Sequence, residues 1–93
     1  MHVATLEVEL LIPASHSLKE KRATIKPILE GARRRFQVAA AEVDHQNKWQ
    51  RAALGFAAVG ESVRHVTAVV EKVERFVWSF PEIEVIECTS DHA

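Results

Sequence analysis

A chain of 93 residues with twelve Lys and Arg against thirteen Asp and Glu has a formal net charge of −1, so its bulk charge selects neither for nor against a polyanion. Its apolar fraction of 47% supplies a modest core, and its length sets the expectation of one domain over residues 1–93, burying about 60–65% of its unfolded surface. The lone Cys88 excludes an intramolecular disulfide, and no apolar run approaches the roughly eighteen residues that a membrane-spanning helix needs. The opening stretch MHVATLEVELLIP lacks a basic leader and holds Glu7 and Glu9 within its apolar run. It is not read as a signal peptide, and the expectation is a soluble cytoplasmic protein.

The first segment alternates, with Ala4, Leu6, Val8, Leu10 and Ile12 on one face and Thr5, Glu7, Glu9 and Leu11 on the other. That period of two predicts a half-buried strand, ended by Pro13. Ser17-Leu-Lys-Glu20 forms a capping box that opens a helix to about Phe36. Its apolar residues Leu18, Ile25, Leu29, Ala32 and Phe36 lie within roughly 40° of one line, and the periodicity continues on both sides of Pro27. Residues 37–43 and 49–59 predict two strands joined by a turn from Asp44 to Lys48. Gly60 breaks the pattern, and Ser62 caps a second helix whose stripe is Val63, Val66, Val70, Val73, Val77 and Phe80. Pro81 stops it, and Ile83 to Cys88 predicts a last strand followed by a polar tail. Right-handed crossovers turn this order into an α+β ferredoxin-like βαββαβ sandwich, a four-stranded antiparallel sheet with two helices on one face.

The catalytic inventory is thin. The glycines are scattered, which excludes a phosphate-cradling loop. The histidines show no metal-ligand spacing, although antiparallel pairing of the first and last strands would bring His2 and His92, at the two chain ends, toward each other. Cys88 has no basic neighbour to lower its pKa and reads as a packing residue. The loop from Pro13 to His16 leads into a helix N-terminus that suits an anion, beside the commoner reading of an ordinary cap. No enzyme activity, metal or cofactor is expected.

Charge distribution is the anomaly. Residues 17–36 hold Lys19, Lys21, Arg22, Lys26, Arg33, Arg34 and Arg35 against Glu20 and Glu30. Lys19, Arg22, Lys26 and Arg33 fall within roughly 60° of each other on the wheel. A solvated face is the bland account of this stripe, and a phosphate-binding surface for RNA is the sharp one. The sheet face away from the helices offers a second surface. Leu11, Trp49, Ala53, Gly55, Ala57 and Val59 are expected to face outward there, beside Glu7 and Glu9. Glutamates and small residues suit base stacking poorly and suit protein packing better, most simply as a homodimer.

The segments LEVELLIP, SLKEKRATIKPIL, RRRFQVAAAEV and WQRAALGFAAV together resemble the YlxP-like family of small bacterial proteins, catalogued as a domain of unknown function. The resemblance spans nearly the whole chain; Trp78 and the turn at His45 stand outside it, and the C-terminal strand matches least. It implies a ferredoxin-like fold. The neighbourhood of family genes with those for translation initiation and ribosome maturation factors implies an association with the ribosome or its RNA. The family has no established catalytic residues, so none is carried over.

Overall fold

Six elements follow one another in the expected order in a computed structural model that describes residues 1–92: β1 (His2–Leu11), α1 (Leu18–Phe36), β2 (Ala39–Asp44), β3 (Arg51–Gly60), α2 (Val63–Trp78) and β4 (Glu84–His92). The strands form one antiparallel sheet in the order β2-β3-β1-β4, with β1 and β3 central. This is the ferredoxin-like βαββαβ sandwich.

The alternation of β1 has the predicted consequence. Leu6, Val8 and Leu10 are fully buried opposite Phe56, Leu54 and Ala52 of β3. Over them pack Ile25, Ile28 and Ala32 from α1 and Val66, Val70, Val73 and Val77 from α2. Burying aliphatic side chains of this size stabilises by about 1.5–3 kcal/mol each before chain entropy is counted. Between the helices, Gly31 lets α1 approach Phe76, whose ring would meet a Cβ there at 2.6 Å. Phe36, Phe76 and Phe80 then pack edge to face at 5.6 and 5.1 Å.

Both helices begin where their caps dictate. The Ser17 hydroxyl accepts from the Glu20 amide at 3.0 Å, and the Ser62 hydroxyl from the His65 amide at 3.1 Å. Glu20 reaches back one residue further than a standard box, accepting from the His16 amide at 3.1 Å. Helix α1 continues through the exposed Pro27 and ends at Gln37, whose φ of 55° puts it in the left-handed region.

Helix α2 ends at Trp78, two residues before the expected Phe80, with Ser79 as its cap, and three strand boundaries also shift. Strand β2 starts at Ala39 because Gln37 is spent capping α1. Strand β3 starts at Arg51, two residues late: the Gln50 carbonyl still accepts from the Ile12 amide at 2.8 Å, but its side chain donates to the carbonyls of Pro13 and Ser15 in the loop before α1. Strand β4 runs on through the polar residues to His92, because β1 extends far enough to pair Thr5 with Asp91 and Ala4 with His92. Two bulges bend the sheet, one leaving Val43 unpaired in β2 and one leaving Ile86 unpaired in β4.

Candidate functional site

Helix α1 is buried along Lys21, Ile25, Ile28 and Ala32, a line rotated toward Lys21 from the one that the apolar residues alone predict. Lys21, expected among the phosphate ligands, is therefore excluded from that role: its side chain is 1% exposed. Its Nζ lies 2.7 Å from a Glu42 carboxylate oxygen and donates to the carbonyls of His45, Gln46 and Arg51 at 2.8, 3.3 and 3.3 Å. The Glu42 contact is a charge pairing outside good hydrogen-bond geometry; the carbonyls supply the directed bonds. A buried ammonium needs such a full set of partners to stay charged.

The remaining cations of α1 are exposed, and they differ in occupation. Arg33 donates to the Ala40 carbonyl on edge strand β2. Arg35 lies over the Phe76 ring, 5.3 Å from its centroid. Lys26 stands 4.0 Å from Glu30, one turn on. Lys19, Arg22 and Arg34 have no acidic partner within ion-pair distance among the described residues. Arg22, Lys26 and Arg33, with Glu30 and Glu42 among them, rim a hollow of about 290 Å³ between α1 and β2, floored by Ile25 and Leu29. The alternative anion site at the start of α1 is occupied from within, since the Glu20 carboxylate takes the His16 amide and lies 3.3 Å from the Ser17 hydroxyl.

On the opposite face of the sheet, Gly55, Ala57 and Val59 face outward as expected, and Val59 is 63% exposed. Gly55 and Ala57, with Thr5, Ala39, Ala41 and Val43, line a shallow groove of about 560 Å³ that Glu7 and Asp91 also reach. Val43 folds across Gly55, where a Cβ would meet it at 2.8 Å. Toward β4 this face turns acidic, with Glu7, Glu87 and Asp91 in register positions that share it.

Two expected members of this surface are placed otherwise. Ala53 is fully buried: it lies between its register partners Glu9 and Asp44, beneath a polar cluster that closes over this end of the sheet. In that cluster Arg51 donates to Glu9 Oε2 at 2.6 Å, and His45 Nε2 lies 3.0 Å from Glu9 Oε1. The hydrogen bond from Arg51, then that from His45, holds the Glu9 carboxyl below the usual carboxylate range. Trp49 is not on β3 but in the β2–β3 turn, 56% exposed, beside Leu11, Lys48 and Arg51 in a hollow of about 400 Å³. The Glu9–Arg51–His45 cluster and the Lys21–Glu42 pair went unforeseen, because each joins residues whose proximity depends on strand order. The left-handed φ of His45 (63°) had a signal only in the turn residue Asp44 before it.

The His2 and His92 rings stack at 5.5 Å on neighbouring strands. No group of three or more metal-ligating side chains occurs among the described residues. Burial, and next the charge of Glu74, pushes the Cys88 thiol up, away from the thiolate form. No helix among the described residues is long and apolar enough to cross a membrane.

Two solved structures share the architecture at low sequence identity, and both are designed proteins. A de novo designed protein with a ferredoxin fold, LFR1 1, matches with a TM-score of 0.58 at 10% identity over 100% of this chain and 84% of its own. De novo designed protein Foldit4 matches with a TM-score of 0.57 at 16% identity over 98% and 97%. The uncharacterized protein YlxP of Bacillus subtilis (strain 168) is 42% identical over 78 residues, 84% of this chain and 85% of that protein. The model of the protein family of unknown function DUF503 matches residues 3–90, and the chain therefore belongs to that family.

Proposed function

We propose that this protein is a non-enzymatic binding protein that holds the phosphate backbone of RNA, the ribosome's RNA in the first instance, along the exposed flank of α1. The observation that carries this reading is the unpaired state of Lys19, Arg22 and Arg34, with Lys26 only loosely matched by Glu30. Free, solvent-facing cations gathered on one helix release counterions when they meet phosphates. The chain has a net charge of −1, so this gathering is local. Fluorescence anisotropy with labelled ribosomal RNA fragments tests the proposal. Wild type binds at low ionic strength, and Arg22→Glu with Arg34→Glu loses most of that binding while keeping its circular dichroism. Arg34 is chosen over Arg33 because Arg33 is engaged by β2. Equal binding by the double reversal refutes the proposal.

A second and compatible reading is self-association through the open sheet, favoured by the groove of small residues around Gly55 and Ala57. Light scattering tests it: wild type runs as a dimer and Ala57→Lys as a monomer, and a monomeric wild type at high concentration rules it out.

A further inference from the structure

We propose that Trp49 is a stacking platform for one unpaired nucleobase of a single strand whose phosphates follow α1. This inference rests on the nucleic-acid reading above and adds to it a base-binding site on a different element. An indole more than half exposed is the flat apolar surface that single-strand binders use, and every base offers it a π-face. Here it lies in a hollow with Leu11 as apolar wall and Lys48 as its unpaired cation among the described residues, the Arg51 charge beside it being taken up by Glu9. Charge complementarity thus selects an aromatic ligand carried by an anionic backbone.

The turn that presents Trp49 is held at both ends. The Lys48 amide donates to the His45 carbonyl at 3.0 Å, and the Gln50 side chain donates to the carbonyls of Pro13 and Ser15 at 3.2 and 3.1 Å. Lys21 binds the carbonyls of His45 and Gln46 from the first turn of α1, between Lys19 and Arg22 in sequence. One buried ammonium therefore ties the indole's turn to the helix that carries the basic flank. Glu84, the register partner of Leu11, puts negative charge on the β4 side of the hollow. The other exposed indole, Trp78, lacks this setting, since it lies at the end of α2 against Cys88 of β4, whose thiol also feels the carboxylate of Glu74.

The test uses Trp78→Phe, which leaves Trp49 as the one indole, titrated with a single-stranded RNA dodecamer and with a duplex of equal length. The single strand quenches Trp49 fluorescence and the duplex does not. Trp49→Ala weakens single-strand binding about five- to 150-fold and leaves duplex binding unchanged, while Trp49→Phe keeps most of the affinity. Salt-dependent binding with Trp49 unquenched, or with Trp49→Ala as tight as wild type, overturns the base site and leaves the α1 reading standing. Absence of salt-dependent binding to either probe overturns both. A Trp49→Ala change confined to self-association assigns the indole to a contact between copies and also overturns the site.

Discussion

On the helical side of the molecule, Lys19, Arg22 and Arg34 are exposed without acidic partners among the described residues, whereas across the sheet Arg51 is clamped to Glu9 at 2.6 Å and His45 approaches the same carboxylate at 3.0 Å. The contrast is sharpest within two residues of α1. Lys21 is buried and fully partnered, and Arg22, its neighbour, is exposed and free. Charge that is buried or paired holds the architecture together; charge left free is available to a partner. Counting cations along a helix cannot separate the two uses, and the direction of each side chain can.

Substitutions at these neighbouring positions should therefore diverge. Lys21→Ala strands Glu42 and three carbonyls and should destabilise by about 3 kcal/mol, the lower end of the range for breaking a buried pair because Glu42 keeps some contact with water. Arg22→Ala should stay within about 0.5 kcal/mol of wild type. Urea denaturation of both variants checks the contrast, and equal midpoints would erase it. Ser17→Ala, which uncaps the helix carrying both residues, should cost about 0.5–2 kcal/mol in the same assay.

The paired side of the comparison has a pH signature. The Glu9 carboxyl is held below its ordinary value of 4.5, so the folded state binds its proton less readily than the unfolded chain does. Its contribution to stability is then complete above that value and fades as the pH falls through the lower folded pKa. Glu9→Gln should flatten the loss of stability below about pH 4.5. A parallel acid titration of wild type and variant would show that Arg51 and His45 do not hold this carboxylate. The smallest effect concerns Cys88, whose raised pKa should make alkylation by iodoacetamide at neutral pH slower than that of a free thiol.

Much of this arrangement was legible in local pattern. The period of two in β1, the Ser17 box and the valine stripe of α2 are short-range signals, and each leads to the element found. What escaped was long-range. Lys21 looks like any helical cation until β2 brings Glu42, 21 residues further on, against it. Trp49 continues the alternation of β3 on paper, yet hydrogen bonds from Gln50 to the Pro13 and Ser15 carbonyls help pull the chain out of the sheet there. The residues Thr89 to His92 read as a tail by composition and become strand because β1 offers them an unpaired edge. Ala53 reads as surface by parity and is covered by a cluster drawn from β1, β3 and the turn between β2 and β3.

The central claim, that the free cations of α1 hold phosphates, is tested most directly by the salt dependence of RNA binding. Three or four single-strand contacts predict a slope of log affinity against log salt of about −2 to −3 for wild type. Arg22→Gln should make that slope shallower by about 0.7, one contact's worth. A slope near zero, or one that Arg22→Gln leaves unchanged, would contradict the account.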